Sequence, residues 1–180
     1  LDESPDRFVL VGFSMGGFVA RVLALVAPER VTGVAFIASS ARGYSPQENA
    51  QRQAAAAGAK VVRTSTRGIA RGLHPNRESD PVLIGRLRDM QQRLGPEVHR
   101  RQAAIVRLDG YADLERIASP SLVIACRQDR LRSFAETERM AHHLPNSRFE
   151  VIEECGHMAP LEKPRELAAL LTGWIERERL

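Results

Sequence analysis

Near its start the chain carries an uninterrupted apolar run, Phe8 to Phe13, which ends in the glycine-rich stretch Gly12-Phe13-Ser14-Met15-Gly16-Gly17. Beyond it, Phe18 to Ala27 keeps apolar residues at helical length, and Pro28 marks the end. A short apolar run, a glycine-rich break and a longer apolar segment predict strand, tight turn and helix. Val31 to Ala38 is a second continuous run. Continuity, rather than alternation, is what a strand shows when both its faces are covered, as in a parallel sheet. Two similar runs come late: Ser121 to Ala125 after Ser119-Pro120, and Arg148 to Ile152 after Leu144-Pro145-Asn146-Ser147. Ser133 to Leu144 between them predicts a helix. Pro164 to Arg177 predicts another, with proline in the first turn, where its missing N–H leaves no helical bond unmade.

From about Tyr44 to Leu114 the pattern changes to helical stretches with no strand of comparable quality. Gln47 to Ala57, Asp80 to Leu94 and Pro96 to Leu108 are the clearest, separated by Gly58, His74-Pro75-Asn76 and Gly95-Pro96. The alanines at 54–57 favour helix. The expected organisation is therefore residues 1–43 as a β-α-β unit, 44–114 as a helical, cap-like insertion placed as a lid over the strand ends, and 115–180 as a second α/β portion. The fold class is α/β, a mostly parallel sheet of about four strands flanked by helices.

Composition narrows the partners. With 43% hydrophobic and 27% charged residues, and no apolar run near the roughly 20 residues of a membrane span, the sequence predicts a globular domain without a membrane partner. Leu1-Asp2-Glu3-Ser4-Pro5 is polar and acidic, unlike a secretory leader, so the expected compartment is the cytoplasm. The first residue is not Met, and residues upstream of it are expected. A net charge of +4 raises the question of nucleic acid, but the arginines fall in ones and twos beside acids, as in Glu29-Arg30, Arg88-Asp89 and Glu138-Arg139. Only Arg100-Arg101 and Arg127 to Arg132 are local runs, without interleaved aromatics, so no nucleic-acid partner is expected. Cys126 and Cys155 are too few for a disulfide framework and lack zinc-ligand spacing. They are expected as free thiols within disulfide reach of each other, and neither a metal nor a cofactor is implied.

Gly12-Phe13-Ser14-Met15-Gly16 is a G-x-S-x-G sequence that follows a predicted strand and opens a predicted helix, the setting in which this motif has mechanical meaning. Small residues two before and two after the serine let strand and helix approach, and the turn lifts Ser14 above the sheet edge. The backbone N–H of Met15, at the helix N-terminus, can donate to an oxyanion. A serine hydroxyl is a poor nucleophile at neutral pH and needs a base, which in turn needs an orienting acid. His157, in Cys155-Gly156-His157-Met158 after the last predicted strand, is the base candidate. His142 and His143 fall within a helix, His74 precedes a proline and His99 lies in the helical middle. Asp129 follows the strand Ser121 to Ala125 at the same sheet edge, whereas Asp109 and Asp113 have no strand before them.

On these stretches, with Ala27-Pro28-Glu29-Arg30-Val31 and Ala159-Pro160-Leu161-Glu162-Lys163-Pro164, the chain resembles the α/β-hydrolase superfamily. Within it the likeness is to small esterase, lactonase and haloperoxidase-like members with a compact helical cap. The resemblance implies nucleophile Ser14, acid Asp129 and base His157, no cofactor, and hydrolysis of a small carboxylic ester or lactone through an acyl-enzyme. It also implies strands ahead of the nucleophile strand and a loop there that supplies a second oxyanion donor, of which this sequence carries neither. In the family's strand order Phe8 to Phe13 then becomes a sheet edge. We therefore expect a piece of a longer chain, self-association through that edge, or a truncated, weak or inactive relative serving as a binding or assembly module. Cys126-Arg127 before Asp129 and Leu131-Arg132 after it depart from the glycine and proline often found there.

Overall fold

The computed structural model describes residues 3–58 and 66–180; the opening Leu1-Asp2 lies outside them. Among the described residues four parallel strands form one sheet in chain order: β1 (Phe8–Phe13), β2 (Val31–Ile37), β3 (Ser121–Cys126) and β4 (Ser147–Ile152). The helices are α1 (Met15–Val26), α2 (Pro46–Gly58), α3 (Thr66–Ala70), α4 (Pro81–Ala104), α5 (Tyr111–Leu114), α6 (Phe134–His143), α7 (Ala159–Glu162) and α8 (Pro164–Glu178). A 3-10 turn spans Pro75–Arg77.

The runs Val31 to Ala38 and Ser121 to Ala125 become the central strands. Along β2 and β3 nearly every residue is buried, because both faces of the sheet are covered. Period-two alternation divides their side chains. Val34, Phe36 and Val123 meet Ala20 and Ala24 of α1 and Met140 of α6 on one face. Ala35, Ile37, Leu122 and Ile124 meet Leu167 and Trp174 of α8 on the other. Trp174 is fully buried, and Gly33 makes room for it: a Cβ there would come within 3.0 Å of the indole. Fully burying a side chain of this kind stabilises by about 1.5–3 kcal/mol, so the two faces carry most of the fold's favourable energy.

α1 starts at Met15, three residues earlier than the apolar periodicity predicts, because Gly16 and Gly17 lie in its first turn rather than in a loop. Gly17 packs on β2's exit, where a Cβ would fall 2.7 Å from Ser39 Cβ. The two helices expected at 80–94 and 96–108 are the two arms of α4, separated at Gly95, whose φ of +74° and ψ of 165° are non-helical and suit glycine. Asp80 caps it by accepting from the N–H groups of Val82 and Leu83, with Pro81 at the first position. The helix stops at Ala104, short of the predicted Leu108. Residues there are drawn into backbone pairing with the chain leaving β2: Tyr44 N–H donates to Arg107 O and Gly110 N–H to Ala41 O. Tertiary pairing overrides helical propensity here.

The helical segment between β2 and β3 packs on the chain that follows β4, where Met158 N–H donates to Gly72 O. Ile69, Leu73, Leu83, Ile84 and Leu87 form a small separate core that packs on Met158 and Leu161.

Candidate active site

Ser14 joins β1 to α1 with φ 50° and ψ −110°, a conformation that side chains bearing a Cβ rarely adopt. Three contacts hold it. Its N–H donates to Ile37 O at 2.9 Å, its carbonyl accepts from Ser39 Oγ at 2.8 Å, and Gly12 lets the helix approach so closely that a Cβ there would sit 2.6 Å from Gly16 O. Sequence reasoning asked for small residues on both sides of the serine. Gly12 meets that requirement sterically, whereas a Cβ at Gly16 would meet nothing within 4 Å.

The loops after β3 and β4 bring Asp129 and His157 to the same sheet edge. His157 Nδ1 lies 2.7 Å from Asp129 Oδ2, and His157 Nε2 lies 2.8 Å from Ser14 Oγ. A carboxylate only accepts, so Nδ1 carries the proton and Nε2 is left to accept from the serine hydroxyl. The other carboxylate oxygen, Oδ1, accepts from the N–H groups of Leu131 (2.7 Å) and Arg132 (2.9 Å), which fixes the acid's orientation. His157 and Asp129 are both buried, and the imidazole packs on Phe13 with ring centroids 5.2 Å apart. Leu131-Arg132, where relatives often carry proline, supplies the two donors that proline could not both provide. Met15 is the first residue of α1, so its N–H has no intrahelical acceptor.

Of the other histidines, His74 caps the 3-10 turn through Nδ1, His143 pairs with Glu115, and His142 and His99 stay on α6 and α4. None joins the cluster. Sequence reasoning missed Glu162. Its carboxylate, fully buried at the end of α7, accepts from Gly156 N–H at 3.0 Å and from His74 N–H at 2.8 Å, tying the loop of His157 to the helical segment above. Proline two residues later is the visible signal, but a lone glutamate before a helix reads as a surface residue. Cys126 and Cys155 are free and buried. The hydrogen bond that the Cys126 thiol donates to Cys155, then burial, hold that thiol far above its ordinary value. Among the described residues no His, Cys, Asp and Glu group is arranged to hold a metal ion, and no helix is long and apolar enough to cross a membrane.

A serine on a strand-to-helix turn, followed in chain order by an acid and a histidine on loops after later parallel strands, defines the α/β-hydrolase class. The chain belongs to that family: the family model described as the alpha/beta hydrolase fold matches residues 4–164. It is similar to a thermophilic esterase from Thermogutta terrifontis solved with malate bound, with a TM-score of 0.84 and 29% identity, covering 97% of this chain and 66% of that one. It is 27% identical over 186 residues to a pimeloyl-[acyl-carrier protein] methyl ester esterase of Nitrosomonas europaea, covering 93% of this chain and 71% of the relative. To a monoacylglycerol lipase of Bos taurus it is 24% identical over 193 residues, and it spans 56% of that relative's length while 97% of its own is matched.

Proposed function

We propose that this chain carries the catalytic core of a serine hydrolase that cleaves small carboxylic esters or lactones through an acyl-enzyme. The observation that carries the reading is the unbroken relay Asp129–His157–Ser14, with both links at hydrogen-bond distance. Support also comes from the names of the relatives, two esterases and a lipase, all of which act on ester bonds.

In this mechanism Ser14 Oγ attacks the carbonyl carbon as its proton passes to His157 Nε2. The oxyanion of the tetrahedral intermediate accepts from Met15 N–H. Collapse breaks the bond to the alcohol oxygen, which takes the proton from His157 and leaves an acyl-serine. Water, deprotonated by His157, then attacks the acyl carbon; the free acid departs and Ser14 recovers its proton. A lactone follows the same course, with alcohol and acid leaving as one molecule. Asp129 holds the tautomer and supports the imidazolium that forms twice in each cycle. Residues 44–114 act as the cap over this site. The compartment that fits is the cytoplasm, where the two thiols remain reduced.

A fluorophosphonate probe tests the assignment. It labels Ser14 in the folded chain, and Ser14→Ala removes both the label and turnover of short p-nitrophenyl esters. Turnover by Ser14→Ala equal to the unmodified chain would refute the nucleophile. Absence of label from a folded chain would favour a binding or assembly module instead.

A further inference from the structure

Between α2 and the loop that carries Asp129 lies an open cavity of about 610 Å³. Tyr44, Glu48 and Arg52 line it from the segment leaving β2, and Arg71, Arg130 and Leu131 line it from beyond α3 and from the acid loop. Its lining thus holds three guanidiniums and one carboxylate. That carboxylate is already engaged: Glu48 accepts from Arg42 and from Ser45 N–H, and the Arg42 hydrogen bond holds it below the usual carboxylate range. Arg130 is engaged too, in an ion pair with Glu78 and a hydrogen bond to Leu73 O.

Arg52 and Arg71 are left without an acid. Among the described residues neither guanidinium forms an ion pair or a hydrogen bond, and Arg52 Nε is buried without a partner. More positive charge stands behind them. The Tyr44 ring has Arg52 at 4.7 Å, Arg107 at 5.0 Å and Arg42 at 5.4 Å from its centroid. Arg107 is only 8% exposed and donates to Tyr44 Oη at 3.0 Å. Burial lowers its pKa from the ordinary value, and the charges of Arg132 and Arg52 lower it further against the opposing pull of Tyr44. Arg132 Nε is likewise buried without a partner. Arg52, Arg107 and Arg132 thus stand close together with no unengaged carboxylate beside them, and Arg52 and the exposed Arg71 line the cavity, a charge distribution that favours an anion there. Planar guanidinium forks match carboxylate and phosphate oxygens.

The cavity adjoins the triad. Leu131, which lines it, donates its N–H to the carboxylate that orients His157. Its side chain and that of Met158, the residue after His157, both lie beside Gly72. We propose that this cavity receives an anionic oxygen group, a carboxylate or a phosphate, at the far end of the substrate, so that the ester cleaved at Ser14 belongs to an acidic molecule. The inference rests on the hydrolase reading for its chemistry, while the anion site stands on the arginines alone.

Two esters separate the questions: the p-nitrophenyl monoester of glutaric acid, with its carboxylate free, and the same compound with that carboxylate methylated. The free acid is turned over with a kcat/KM about tenfold or more above the methylated form at low salt, as expected for one or two charge-assisted hydrogen bonds. The advantage shrinks as salt rises. Arg52→Gln with Arg71→Gln brings the ratio toward one, and Arg52→Lys keeps part of it. Turnover of the methylated ester by these variants reports that they are folded, and a ratio of one in the unmodified protein overturns the proposal. If neither ester is cleaved, the hydrolase reading fails and the anion site is tested separately, by calorimetry on Ser14→Ala with glutarate and with inorganic phosphate. Binding of either that is lost in the double arginine variant supports the site and tells which oxyanion it takes. Binding of neither overturns it.

Discussion

Ser14 stores strain in the fold. A residue with a Cβ held at φ 50° and ψ −110° costs of order 1–3 kcal/mol, and Ile37, Ser39 and Gly12 over-determine the turn that enforces it. Glycine relieves that cost and alanine does not. Ser14→Gly is therefore expected to raise the melting temperature by about 2–4 °C per kcal/mol recovered while abolishing probe labelling; a melting temperature below that of Ser14→Ala would show that the turn is not strained. At the same scale, Cys126 is shielded by Cys155 and by burial, which keep its thiol protonated through neutral and mildly alkaline pH. Iodoacetamide at pH 8 should leave Cys126 unmodified in the native chain and modify it in guanidinium. Rapid native labelling would contradict the packing of these two strand ends. The meeting of Ser14, Asp129 and His157 was legible in the sequence because a G-x-S-x-G turn between strand and helix is followed by loops at the same sheet edge. The role of Glu162 was not, since its partners are backbone N–H groups 6 and 88 positions away along the chain.

Among the elements, the junction between the His157 loop and the helical segment has least freedom. Gly156 presses against the backbone of Leu73 and His74 so closely that any Cβ must displace one of them, and Glu162 bridges the same two strands of chain. A glutamine at 162 keeps one acceptor but turns an amide donor toward an N–H, leaving that N–H unpaired in a buried place. Glu162→Gln should lower stability by about 1–3 kcal/mol. It should also lower kcat more than it raises KM, because the base is displaced and the cavity is not. Chemical denaturation and steady-state kinetics check both; unchanged kcat with reduced stability would make Glu162 a purely structural anchor. The helix and strand periodicities foretold the four strands and the longer helices to within a few residues, but not the short α3, α5 and α7. They missed the early start of α1 and the early end of α4, where close packing on Ser39 and backbone pairing with Tyr44 decided the ends.

At the scale of the molecule the sheet is asymmetric. Among the described residues β1 pairs with β2 alone, Val11 on it is 52% exposed, and Val19, Val22 and Val26 of α1 are exposed as well. An apolar strand with an open ladder side invites pairing. The 180-residue polypeptide by itself is expected to self-associate through this edge, two copies pairing about a two-fold axis, with Val11→Lys shifting it toward monomer. Light scattering across a concentration series reads the result, and a stable monomer at high concentration would overturn the expectation.

The sequence by itself determined the parallel α/β sheet, the turn that carries Ser14 and the loops that carry Asp129 and His157, because these depend on local patterns of fixed length: continuous apolar runs, a glycine-framed turn, and loops that must emerge at one sheet edge. Only the tertiary structure decided what surrounds them. Arginines at 52, 71 and 130 lie far apart along the chain, yet the meeting of α2, the segment after α3 and the acid loop brings them to one cavity, with Arg107 and Arg132 close to Arg52. Long-range convergence of charge leaves no trace in periodicity, since each arginine satisfies its local helix or loop equally well whether or not another stands across the cavity from it.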